Sequence, residues 1–199
     1  KLYKQALDIS KVASGEHSSE VAQILNHMGQ VYMSQGKYDV AAASYQRALK
    51  IEQANLGPQH PDVAVTHGHV GAALHKQGQF EEALSHYQQA MDITKAVFGD
   101  DHVEVASVLA KMALVKDSQG KHQEAIQLFE QVLTTRKEHY GIEHPSVATT
   151  MNNMALVLTN ARMYEKALPL FVQAHQTFQL FYSDEHPDVS SSFHNIGMF

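Results

Sequence analysis

Apolar residues return every three or four positions along much of the chain, for example at Leu25, Met28, Gly29 and Tyr32 and again at Ala41, Tyr45, Ala48 and Leu49. That spacing puts them on one face of an α-helix. Short glycine segments separate these faces: Gly36-Lys37-Tyr38, Gly78-Gln79-Phe80 and Gly120-Lys121-His122 follow one another at intervals of 42 residues. The same period aligns Ala41, Ala83, Ala125 and Ala167, the rings Tyr3, Tyr45, Tyr87, Phe129 and Phe171, and Val21, Val63, Val105, Val147 and Val189. So many coincident columns define an internal repeat, and each unit reads as two helices joined by a tight turn.

A second marker keeps the period. His60-Pro61, His102-Val103, His144-Pro145 and His186-Pro187 each follow Gly57, Gly99, Gly141 or Ser183 by three residues, and Gly15 is a fainter first copy. Proline suits the first helical position because its missing N–H has no partner there, and Asp62, Glu104 and Asp188 set carboxylates against the positive end of the helix dipole. The first helix of each unit is therefore expected to open at these histidines. The expected layout is one array over 1–199: 1–15 the second helix of a truncated repeat, 16–57, 58–99, 100–141 and 142–183 full repeats, and 184–199 the first helix of another truncated repeat. An apolar face at each end predicts further repeats on both sides in a longer parent protein. Arg162 stands where the fourth unit should have glycine, so the turn there must hold a left-handed residue at about 1 kcal/mol or be remodelled. Pro169 falls early in its helix, where at most one hydrogen bond is lost.

The column residues Met28, Gly29, Tyr32, Gly36, Ala41, Tyr45 and Ala48 resemble the tetratricopeptide repeat, whose usual length is shorter. The extra length and the Gly-x-x-His-Pro loop make it similar to the kinesin light chain type. The resemblance implies an all-α fold, a right-handed superhelical solenoid of antiparallel helix pairs with first helices lining a concave groove. Small residues at Gly29, Gly71, Ala113, Ala155 and Gly197 would let paired helices approach closely. In the third repeat Lys116 replaces an apolar residue and His122 a ring, and His67 in the second sits in the column of Leu25, Leu109 and Met151; the third repeat is expected to pack most loosely.

With Met28 and Gly29 facing the partner helix, the helical wheel turns Gln23, Asn26, His27, Gln30 and Met33 to the groove. The corresponding positions include Val65, His69 and His75 in the second unit and Ser107, Lys111, Leu114 and Asp117 in the third. Thr149, Asn152, Asn153, Leu156 and Thr159 follow in the fourth, then His194 and Asn195 in the last. An extended peptide presents a row of backbone N–H and C=O groups, and an Asn amide both donates and accepts, so it holds such a segment without demanding one side chain. In kinesin light chain-like repeats the pattern Leu-Asn-Asn-Leu-Ala has this role. Met151-Asn152-Asn153-Met154-Ala155 matches it best, and His67-Gly68-His69 and Leu109-Ala110-Lys111 depart from it. The family's groove also uses basic residues for acidic peptides. Here Lys111 is the one basic residue at these positions, with Lys76 beside His75.

Composition narrows the chemistry. A formal charge of −6 over 199 residues, with 14 His, lacks the basic footprint of a nucleic-acid binder. The absence of Cys excludes disulfides and thiolate chemistry, and no apolar run is long enough for a membrane span. His60, His102, His144 and His186 occur once per repeat, and neighbouring helix axes lie about 8–10 Å apart. Zinc ligands sit about 2 Å from the ion, so these histidines read as loop-closing residues and no metal, cofactor or catalytic residue is assigned. No phosphate loop or nucleophile elbow is present. The chain is expected to be a non-enzymatic scaffold that binds a protein or peptide partner, as a cytoplasmic, cytoskeleton-associated cargo adaptor. A motor heavy chain could be engaged only through regions outside it. The alternatives are a self-assembling structural spacer in a cytoskeletal or ciliary assembly, or a regulatory repeat domain attached to an enzyme. Protonation of His27, His69, His75 and His194 would further be expected to strengthen the hold on an acidic peptide near pH 5.5.

Overall fold

The structure, a computed structural model, describes residues 2–199, with side chains given for all of these but Lys4. The described residues are helical: α1 (Leu2–Ser14), α2 (Ser19–Ser34), α3 (Tyr38–Leu56), α4 (Pro61–Lys76), α5 (Phe80–Phe98), α6 (Val103–Ser118), α7 (His122–Tyr140), α8 (Pro145–Asn160), α9 (Tyr164–Phe181) and α10 (Pro187–Ile196). They form two compact units, one running to Asp100 and the other from Asp101 to Phe199. In the first, α1 to α5 pack each on the next; in the second, α6 to α10 do the same, and α6 also touches α8. Three-residue turns join the helices of a pair and force them antiparallel.

The expected signals act as local chemistry. Nδ1 of His60, His102, His144 and His186 accepts the backbone N–H two residues on, at 3.1–3.2 Å. A ring nitrogen that accepts is unprotonated, so each imidazole caps its helix as the Nε2–H tautomer. Ser18 fills the same column in the first unit and accepts from Val21 N–H, which shows that the position is an N-cap whatever residue holds it. Two of the capping rings also stack on an aromatic four residues back, His144 on Tyr140 at 4.3 Å and His186 on Tyr182 at 3.9 Å between centroids.

The turn glycines hold φ from 71° to 91°. Arg162 takes φ 60° in their place, so the fourth turn keeps its geometry at the expense of a strained arginine. Ser183 does not copy Gly57: α9 ends a residue early at Phe181, and its cap Tyr182 stays extended at φ −127°. In the first unit the Tyr45 ring lies directly over Gly29 and the Tyr87 ring over Gly71, leaving no room for a Cβ at either glycine. In the second, Phe129 and Phe171 share one core with Ala113 and Ala155.

In the third repeat α6 and α7 bury fewer residues than any other full helix pair, as expected, but its two polar substitutions are paired. Lys116 Nζ pairs with Glu124 at 2.8 Å, and His122 Nδ1 meets Asp117 Oδ1 at 2.7 Å. Asn160 donates to the other oxygen of Asp117 at 2.8 Å. The two polar substitutions thus come with polar partners, while Ala125, Ile126 and Phe129 stay buried beneath them.

Candidate functional site

The face was expected on the first helices α2, α4, α6, α8 and α10, and each unit carries its own part of it. On α2, Gln23, His27 and Gln30 are exposed, and on α4 Val65 is 57% exposed. His69 is half-buried and stacks on the Tyr45 ring at 5.1 Å; in the same columns one repeat earlier, His27 and Tyr3 are only tilted toward each other at 6.4 Å. His75 is half-buried against Phe80, and burial, then the charge of Lys76, lowers its pKa. It therefore resists the protonation by which it was expected to attract an acidic peptide.

Asn26 is committed to the fold instead. Its amide nitrogen donates to Glu52 Oε1 at 2.8 Å and to the Thr66 hydroxyl at 3.2 Å, tying α2, α3 and α4 together. Glu52 is buried, and burial raises its pKa against the opposing pull of Thr66 and Asn26. The sequence pattern gave no warning of this carboxyl.

In the second unit the equivalent position on α7 is Arg136, again unanticipated. Its guanidinium donates to Thr150 Oγ1 at 2.8 Å, to the Ser146 carbonyl at 3.2 Å and to Ser107 Oγ at 3.3 Å. Ser107, assigned to the face, is thus held from below. The signal available in the sequence was charge, at Glu52 and Arg136, in a column otherwise filled by Ser10, Thr94 and Phe178. Asn195 donates to Asn152 Oδ1 at 2.9 Å, so these two amides bridge α10 and α8. Thr149 and Thr159 turn their hydroxyls back onto their own helix. Asn153 has no such engagement and stays half-exposed. Lys111 occupies the same column one repeat earlier; it is open to solvent, yet surrounding protein lowers its ammonium pKa, partly offset by Glu104. Leu114 and Leu156 form a parallel row one turn on, with Leu114 37% exposed. His194 is exposed at the end of this face.

What the second unit offers, then, is a cation and a free amide in one row beside apolar side chains in the next. No group of three or more His, Asp or Glu among the described residues is placed to hold a metal.

Fold and repeat together define a helical-repeat interaction scaffold. The family model described as the tetratricopeptide repeat matches residues 1–53, 20–95, 62–138 and 146–198, and the chain belongs to that family. No curated protein sequence matches it. Among solved structures it is similar to BtubC (BKLC) from P. vanneervenii, at 24% identity and a TM-score of 0.75 over 92% of this chain and 73% of that one. It is also similar to a putative kinesin light chain from Podosopora anserina with nearly identical TPR-like repeats, at 21% identity and a TM-score of 0.72 over 88% and 83% of the two chains. The all-α, kinesin light chain-like repeat fold is thereby established. No helix among the described residues is long and apolar enough to cross a membrane.

Proposed function

We propose that the exposed faces of the first helices hold an extended segment of a partner protein. The observation that carries this reading is the strip on α6 and α8. Lys111 and Asn153 keep polar groups uncommitted to the fold, next to Leu114 and Leu156. An amide that the chain does not use for itself satisfies the backbone of a bound segment, the lysine meets a carboxylate, and the leucines take an apolar side chain between them. Asn152 and Asn195 bond to each other and act as supports for this strip. In the first unit, His69 stacked on the Tyr45 ring and His27 tilted beside the Tyr3 ring, with Gln23, Gln30 and Val65, offer the corresponding surface.

A kinesin light chain-like cargo-adaptor role, cytoplasmic and cytoskeleton-associated, is the finer form of this proposal, and the fold likeness supports it. Any motor heavy chain would be engaged by regions other than these 199 residues. The test is a displayed random-peptide library screened against the chain. A consensus with an acidic and an apolar position is expected, with binding weakened about tenfold or more by Asn153→Ala or Lys111→Ala while the thermal melt is unchanged. A consensus indifferent to both substitutions would place the binding surface elsewhere.

A further inference from the structure

We propose that the loop between α7 and α8, together with the end of α9, binds the guanidinium of an arginine side chain presented by a partner protein. The site uses none of the residues assigned to the first-helix face, and so goes beyond the partner-binding reading.

Aromatic rings are threaded along this edge of the second unit. His139 meets Tyr140 edge-on with centroids 4.6 Å apart, Tyr140 stacks on His144 at 4.3 Å, and the Phe181 ring tilts toward His144 at 6.5 Å. An open cavity of about 640 Å³ is lined by Tyr140, Ile142, Glu143, His144 and Phe181, with Gly141 at the turn. Tyr140 is 39% and Phe181 54% exposed. Such exposure belongs to the edge of the repeat: His139, in the Phe181 column one repeat earlier, is exposed as well, although α8, α9 and α10 follow it.

The surroundings set the charge of the ligand. Ring faces carry negative partial charge and attract a cation. Tyr140 ends α7 and Phe181 ends α9, so both rings stand at the negative end of a helix dipole. Glu143 lines the cavity, and the stretches 138–146 and 181–188 hold Glu138, Glu143, Asp184, Glu185 and Asp188 with no Lys or Arg. The N-terminus of α8 opens on the same loop, but His144 Nδ1 already takes the Ser146 N–H, which closes that donor to an anion. Arg136 acts electrostatically on Tyr140, yet its guanidinium is held by Thr150, Ser146 and Ser107 and does not line the cavity. An open cavity suits a flat guanidinium, which stacks on a ring and pairs at its edge with a carboxylate, better than a rounded ammonium that needs rings on several sides. The set is particular to this corner. In the columns of Tyr140, Ile142, Glu143 and Phe181, the loop between α3 and α4 and the end of α5 have Leu56, Pro58, Gln59 and Val97, with neither a ring pair nor a carboxylate.

The test is an NMR titration of the 199-residue chain with acetyl-Gly-Arg-Gly-amide, beside the same peptide carrying citrulline, which keeps the shape without the charge, or trimethyllysine. For the arginine peptide, saturable shifts at Tyr140, Ile142 and Phe181 with a Kd of about 1 mM are expected, and citrulline should bind about tenfold more weakly or worse. Phe181→Leu keeps the apolar bulk and removes the ring face; Glu143→Gln removes the charge. Both positions are exposed, and each change should weaken the arginine peptide about threefold or more with the thermal melt unchanged. Equal binding of citrulline, tighter binding of trimethyllysine, shifts that do not saturate, or indifference to both substitutions overturns the proposal.

Discussion

At Arg162 a side chain occupies a conformation that glycine holds without cost in three earlier turns. Arg162→Gly removes the Cβ clash but frees the unfolded chain, so the expected gain is modest, about 0.5–1 kcal/mol in a urea melt. The capping histidines allow a comparison at equal backbone geometry. His144→Ala leaves the Ser146 N–H without its side-chain acceptor and should cost about 1 kcal/mol, whereas His144→Ser installs the residue that already does this work at position 18 and should recover most of it. A melt in which both variants lose equally would show that the stack of His144 on Tyr140, rather than the cap, is what stabilises the loop.

At the scale of helices, the architecture was legible because the features that build it are local and repeat. A glycine turn, an N-cap and a small residue opposite a ring each recur every 42 residues, so one reading is checked several times over. Close approach at Gly29 and Gly71 is the feature most exposed to a single change. A Cβ at Gly71 would lie 2.9 Å from the Tyr87 ring. Gly71→Ala should therefore destabilise by about 1–3 kcal/mol through forced displacement of the ring, while Gly197→Ala, whose Cβ would make only ordinary contacts at 3.4 Å and beyond, leaves the thermal midpoint unchanged. The binding face was less legible because its polar residues choose partners across helices. Asn26 and Asn153 are the same residue type on equivalent helices, but Glu52 lies within reach of the first and claims it, and no pattern of spacing announces that. Arg136 is the mirror case, a charge in the same column as Glu52 that the fold satisfies with hydroxyls and a carbonyl.

Across the molecule, titratable groups buried within helix pairs are concentrated in the first unit, and they predict a pH response confined to it. His67 is 3% exposed, and its Nδ1 faces His86 Nδ1 at 2.9 Å, with the Gln53 amide nitrogen 3.5 Å from its other ring nitrogen. One of the two facing nitrogens carries the shared proton; charging both rings would set two N–H groups head to head. Burial, then the neighbouring ring, lowers the His67 pKa from 6.5 to about 4, and burial lowers that of His86 as well. Between those values the unfolded chain binds the proton and the folded chain does not. Stability is therefore complete above pH 6.5 and falls as pH drops toward 4, by up to about 3 kcal/mol, because each tenfold loss of proton affinity on folding is worth about 1.4 kcal/mol. Glu52 has the opposite sign: its raised pKa makes the folded chain bind the proton more readily, so protonation returns stability as pH falls toward 4.5. Glu52→Gln should accordingly stabilise at pH 7, with the advantage shrinking in acid. In the second unit the groups at the matching positions are Leu109 and Arg136, and neither titrates in this range. Hydrogen exchange at about pH 7 and pH 4.5, corrected for the intrinsic rate, should show protection lost in α4 and α5 but retained in α8 and α9. His67→Leu, which restores the residue type of its column, should abolish the difference, and equal loss in both units would remove the His67 and His86 pair as its cause.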